Sequence, residues 1–272
     1  MILGLLVRYG TQRYPRGTED GIAAFRAFAG DRPQELVVID NAVPPGTRVD
    51  LGGGVRLRDG DNRVREFTAW DRVLGERLDG LRASDVVVLM TDALRQADAE
   101  HLEAIADDAA DLVAEWPVAY GRMDAFPHPI IVRGLRLDGW LRSSFVALNV
   151  GVLRTVLPLA EVHRRNLFHS LEEATSFKDA IVPPMYEEIL VDWLRGREIE
   201  GGFRYHGGRE LHQRSVADFQ VKAACVVNES LLSARLLARG VRLVDLEWWV
   251  RSEVSPNREL ADMGEQLAWR RR

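Results

Sequence analysis

Cysteine is nearly absent from this chain. Cys225 is the only one in 272 residues, so no intramolecular disulfide can form, and a reducing compartment suits the protein. It lies in the apolar run "VKAACVV", where a buried, inert thiol is expected. Long hydrophobic runs are missing too. None approaches the roughly 20 apolar residues that span a bilayer. "MILGLLVRYG" holds six apolar residues before Arg8, too few for a signal core, and no basic segment precedes them. The expected location is cytoplasmic, with the tail "WRRR" as the feature suited to touching an anionic inner membrane face. Positive charge is not in excess: the formal net charge is −5. That excludes a nucleic-acid binder working through a globally basic surface. It leaves room for a nucleotide-sized ligand, which needs only a local positive site.

Several catalytic signatures are missing as well. There is no Walker A motif, no G-x-S-x-G, no H-E-x-x-H and no C-x-x-C, so P-loop, serine-hydrolase and zinc readings lack support. His163 and His169 are six apart, as are His206 and His212, and neither pair has zinc spacing. "GGG" at 52–54 lacks the G-x-G-x-x-G spacing and reads as loop glycine.

What is present is an ordinary globular composition, 46% hydrophobic and 28% charged, with a regular first half. Apolar runs at 2–7, 35–40 and 84–90 read as buried strands, and 55–59 as a shorter one. Helices are expected at 18–29, capped by Thr18 and followed by Gly30, and at 64–78, with Val64, Phe67, Trp70, Leu74 and Leu78 on one face. Trp70 is expected in the core. This alternation predicts an α/β fold with a largely parallel sheet. The second half is less regular. A helix is expected at 99–116, a strand at 142–149, a short helix after it, loop-like chain at 161–183, a helix at 183–196, a loop or hairpin at 201–213 and a long helix at 217–240. Trp248 and Trp249 are expected to pack the last strand. No linker or repeat appears, so one domain spans 1–272, with a nucleotide-binding half to about residue 115 and an acceptor-side half after it.

Ligands of open parallel sheets bind beyond the carboxyl ends of the strands. Tyr9, Asp40-Asn41 and Thr91-Asp92 each follow an apolar strand directly and are the candidates for that edge. The order of "ELVVID" with Asn41, then "GDNRVREFTAWDRVL" (Asn62, Arg65, Glu66, Phe67, Trp70), then "VVVLMTDAL", resembles family 2-like glycosyltransferases of the GT-A fold, the type found in bacterial polysaccharide and surface-glycan assembly. "GWLRSSFVALNVGVL", "YEEILVDWL" and "VNESLLSARLLARGVRLVD" resemble later elements of that family, so the likeness runs from about residue 2 to 246.

The resemblance implies a GT-A-like three-layer α/β/α sandwich. It also implies an inverting transfer of a sugar from a nucleoside-diphosphate sugar to a glycan or other hydroxyl acceptor. Asp40 matches the carboxylate that accepts from the nucleobase, and Asp92 an acidic residue of the motif for a divalent metal, Mg²⁺ or Mn²⁺. Glu188, beside Glu187, matches the acceptor-side base. Tyr9, Asn41, Asn62, Glu66 and Thr91 complete the expected donor site. The leaving diphosphate needs a cation or Arg/Lys donors, and the incoming hydroxyl needs a carboxylate. The metal motif here holds one carboxylate where the family often shows two. Arg95, Arg142, Arg164, Arg165 or Lys178 could replace part of the metal's charge, and His206 or His212 could complete its shell. A non-catalytic relative that kept the fold, and a nucleotidyltransferase, stand as the alternatives.

Overall fold

The computed structural model describes residues 1–94, 105, 108–170, 177–178, 181–197, 216–251 and 264–266. Eight strands form one sheet: β1 (Ile2–Arg8), β2 (Gln34–Asp40), β3 (Arg48–Gly52), β4 (Val55–Asp59), β5 (Val86–Thr91), β6 (Val118–Val132), β7 (Leu135–Asn149) and β8 (Arg242–Asp245). Their order is β3-β4-β2-β1-β5-β7-β6-β8. The middle, β4-β2-β1-β5, is parallel, β7 runs antiparallel to β5, and β6 and β8 run parallel to each other. The protein is therefore α/β with a mixed sheet, and both halves of the chain contribute strands to it.

Helices cover both faces, as the continuous apolar runs of β1, β2 and β5 require. Alternate residues of β1 serve opposite faces. Leu3, Leu5 and Val7 join α2 (Arg65–Arg77), α4 (Val150–Thr155), α6 (Pro184–Leu194) and α7 (Val216–Ala238) in one core. Ile2 and Leu6 join α1 (Gly17–Ala29), α3 (Ala109–Glu115) and α8 (Leu246–Arg251) in the other. Each Leu or Phe fully buried this way contributes about 1.5–3 kcal/mol. Trp70 is 1% exposed and donates its indole N–H to the Leu5 carbonyl at 3.2 Å, so the polar atom it brings into the core is satisfied. Trp248 and Trp249 are buried in the second core, as expected.

The second half departs from the sequence reading. The strand expected at 142–149 begins at Leu135, and β6 pairs along it. A two-residue turn, Arg133-Gly134, joins them, with φ of 51° and 76°. Positive φ at both positions is the hairpin geometry that matches strand twist. β6 was masked in the sequence by Gly121, Pro127 and Pro129. The register shifts between Gly121 and Met123 and between Ala125 and Ile130, which is how a strand accommodates such residues. The short edge strand β3 was also not foreseen. The segment expected as loop at 161–183 contains a four-residue helical turn, α5 (Arg164–Leu167), and a bridge between Phe168 and Phe177. Of the helix expected at 99–116, Ala109–Glu115 is helical. Ile105 and Asp108 are not helical, while residues 99–104 and 106–107 and the segment 201–213 lie outside the described residues.

Three side chains pin the connection at 156–162 beneath this half. Asp71 accepts from the Leu159 and Ala160 amides at 2.7 and 2.8 Å. Arg235 donates to the carbonyls of Val156, Pro158 and Leu159. Asn228, fully buried, accepts from the Glu161 and Val162 amides and donates to the Val162 and Ala224 carbonyls. All four bonds available to its amide group are used. No helix among the described residues is long and apolar enough to cross a membrane.

Candidate functional site

The register of the parallel strands brings the candidate residues to one edge. Arg8 pairs with Asp40 and Asp40 with Asp59, while Val7 pairs with Thr91. The chain leaves the sheet just beyond these pairs, and backbone bonds fix each exit: the Asn41 amide donates to the Arg8 carbonyl and the Asp92 amide to the Val7 carbonyl. Gly17, at the start of α1, lies so close to the Asp92 backbone that a Cβ there would clash with it. The Asp92 turn is thereby seated against α1.

Asp40 is 2% exposed and its carboxylate is spoken for on both oxygens. Oδ1 accepts from the Gly10 and Ala42 amides at 3.0 and 2.9 Å, and Oδ2 accepts from Arg8 Nε at 2.7 Å. Arg8 also donates through Nη1 to the Thr18 hydroxyl. Its Nη2 makes no hydrogen bond among the described residues, so one guanidinium edge remains for a ligand. Tyr9 projects outward, 63% exposed. Asn41 donates to the Asn62 side chain at 3.3 Å, and its buried Oδ1, packed against Gly60, makes no hydrogen bond among the described residues.

Asp92 is half-buried, and burial pushes its carboxyl up to about 6. The Glu66 charge adds to that push, while the Tyr9 amide and the Arg8 guanidinium oppose it. The Glu66 charge thus disfavours ionisation of Asp92, and a cation at this edge would relieve it.

Glu66 is 9% exposed and occupies the first turn of α2. Its Oε1 lies 3.2 Å from the Ser143 hydroxyl, and its Oε2 faces the Cys225 thiol at 4.0 Å. The same hydroxyl meets Glu229 of α7, whose Oε1 also accepts from the Ser143 amide at 2.9 Å. Extending the antiparallel register of Met90 with Phe145 brings Ser143 level with Asp92. Four elements thus converge: the end of β5, the start of α2, the middle of β7 and the middle of α7. Ser143 and Glu229 were not singled out from the sequence. "RSSF" and "VNES" carry no local signal, because the pair is assembled across 86 positions. Cys225 is buried as expected, and burial together with the Glu66 charge pushes its thiol well above its ordinary range.

The acceptor-side candidates sit elsewhere in the architecture. Glu187 accepts from the Phe177 amide at 2.9 Å, which ties α6 to the Phe168–Phe177 bridge. Glu188 is exposed on α6 and makes no hydrogen bond or ion pair among the described residues. α6 packs on α7 through Tyr186, whose hydroxyl meets that of Ser230 at 2.6 Å. Arg142 is engaged with Asp124. Arg165 is exposed, and Lys178 reaches the Arg165 carbonyl at 3.4 Å. Arg95, His206 and His212 lie outside the described residues. Among the described residues no group of three His, Cys, Asp or Glu side chains is arranged to hold a metal ion. Comparison with protein-family models and with curated proteins gives no match for this chain.

Proposed function

We propose that the protein is a glycosyltransferase of the GT-A type, moving a sugar from a nucleoside-diphosphate sugar to a hydroxyl acceptor with inversion. The observation that carries this reading is the edge where Arg8, Asp40 and Asp92 stand at the ends of adjacent parallel strands, with the Glu66 charge acting on Asp92. Ligands of such sheets bind there. The edge offers both signs of charge. Arg8 Nη2 suits a phosphate oxygen. Asp92, crowded by Glu66, suits a divalent cation whose other ligands are diphosphate oxygens and water. Asp92 would hold that Mg²⁺ or Mn²⁺, which when bound would neutralise charge on the leaving diphosphate. Asp40 supports the nucleotide mainly by holding the turns after β1 and β2 in register, with one lone pair of Oδ2 left for a donor on the base.

A thermal-shift panel of nucleoside diphosphates and their sugars, with Mg²⁺ and with Mn²⁺, tests the reading. At least one nucleotide should raise the melting temperature in a metal-dependent way, and Asp92→Ala should abolish the rise. Slow sugar release from the donor without acceptor should accompany it. Binding with no sugar release would favour a non-catalytic relative. Pyrophosphate release from a nucleoside triphosphate would favour a nucleotidyltransferase.

A further inference from the structure

β3 closes one end of the sheet, and all 5 of its residues are exposed. Its inner side pairs with β4: Arg48 lies opposite Arg58, Val49 opposite Leu57 and Asp50 opposite Arg56. Just before the strand, the Thr47 carbonyl accepts from the Asp59 amide at 3.2 Å. Hydrogen-bonded and non-hydrogen-bonded pairs alternate along an antiparallel ladder. Val49 therefore bonds inward, and the amides and carbonyls of Arg48 and Asp50 point away from the sheet. Such an open row of backbone groups is a template for another strand.

The side chains select which strand fits. Successive residues of a strand face opposite sides, and directly opposed residues share a side. Arg48 and Asp50 thus lie on the side of Arg58, which donates to Glu76 of α2. Val49 lies on the side of Leu57, which belongs to the core beneath α1. No helix covers this strand, and Val49 and Leu51 stay 47% and 48% exposed. The β3 of a second copy can run antiparallel beside it, with a two-fold axis at Val49. Arg48 then stands opposite the other copy's Asp50, and Asp50 opposite its Arg48. Each of these pairs exchanges both backbone hydrogen bonds. Val49 meets its own counterpart in a non-hydrogen-bonded pair, where side chains approach closest. Moving the axis to Arg48 or to Asp50 sets two like charges directly opposite, which is disfavoured. The stretch "RVD" is therefore complementary to itself in one register. The side chain of Arg48 is free to take part: it is 58% exposed and reaches Asp59 only at 3.5 Å. The irregularity between Asp50 and Gly52 lies beyond the pairs required.

We propose that β3 is a homodimer interface, in which two copies join edge to edge in this register and share one continuous sheet. The contact is isologous, so it closes at two copies. It is also small, below the roughly 1,200 Å² of standard interfaces, so a dissociation constant on the order of 10–100 μM is expected.

Sedimentation velocity of the intact protein from about 1 to 300 μM, a range that brackets this constant, tests the proposal independently of any catalytic activity. The wild type should pass from monomer to dimer. Asp50→Arg sets arginine opposite arginine, and Arg48→Glu sets glutamate opposite aspartate, so each variant alone should stay monomeric. Mixed together they should dimerise, because every arginine of one then meets an acid of the other. Asp50→Pro removes an amide that β4 does not use, a place where an edge strand tolerates proline. It too should stay monomeric, with a thermal unfolding curve like the wild type's. A wild type that is monomeric throughout, dimers that persist in Asp50→Arg or Asp50→Pro, or charge variants that fail to pair when mixed would each overturn the interface.

Discussion

Arg8 and Asp40, adjacent in the β1–β2 register, form an ion pair at 2.7 Å with the Arg8 side chain 15% and the Asp40 side chain 2% exposed. The same carboxylate holds the Gly10 and Ala42 amides. Removing it leaves a largely buried guanidinium and two backbone donors without their partner. Asp40→Ala should therefore cost about 3 kcal/mol or more in urea unfolding. A loss below about 1 kcal/mol would mean that this pair does not organise the edge.

Asp92 gives a pH dependence of defined sign. Its folded value, raised to about 6, exceeds that of an unfolded aspartate near 3.8. Below the unfolded value both states hold the proton, and the group contributes nothing. As pH rises from about 4 to 6, the unfolded chain releases its proton first, so stability falls; above that window the penalty is constant. Asp92→Asn removes the titration. It should be more stable than the wild type near neutral pH by about 1–3 kcal/mol, allowing for partial exposure, and the gain should vanish near pH 4. Melting temperatures of the two proteins across that range check this, and a gain independent of pH would contradict it.

The Glu66 charge helps to raise the Asp92 carboxyl, so its removal should show in the Asp92 titration. In Glu66→Gln the Asp92 carboxyl should titrate at lower pH than in the wild type, as followed by carbon NMR of labelled aspartate. An unchanged titration would place Glu66 outside the field of Asp92.

Cys225 is fully buried and faces Glu66, and burial together with that charge outweighs the Arg65 and Lys222 cations that favour the thiolate. It should resist a thiol reagent near pH 8 in the native protein and react fully on unfolding. Rapid native labelling would show that the space beneath Glu66 opens to solvent.

Asn228 satisfies two amides and two carbonyls from a fully buried position. Asn228→Ala should cost about 3–5 kcal/mol, because several of those groups lose their partner at once. Thermal or urea unfolding measures it, and a loss under about 1 kcal/mol would contradict the network.

The first half of the fold was legible in the sequence because its strands are buried on both faces and read as unbroken apolar runs, as in "ELVVID" and "VVVLM". The long hairpin was not, since Gly121, Pro127 and Pro129 break the pattern that β6 should show, and the pairing that rescues it is supplied by β7. Of the site, the edge residues Asp40, Thr91 and Asp92 could be placed because each ends such a run. Glu66 could be named, but only from a motif. What Asp40 does there could not be read, because Arg8 lies 32 positions away from it in the chain. Ser143 and Glu229 stayed hidden for the same reason. Each sits inside a regular element whose own periodicity explains it, and only the packing of α7 on β7 makes them a pair.

The central claim is that the edge around Asp92 and Arg8 receives a nucleoside diphosphate. A crystal structure with a nucleoside diphosphate and Mn²⁺ tests it most directly. The account predicts the metal on Asp92 and diphosphate oxygens, a phosphate within hydrogen-bonding distance of Arg8 Nη2, and the base beside Asp40. A nucleotide bound elsewhere on the protein, or none at concentrations well above those that saturate a nucleotide-sugar enzyme, would contradict it.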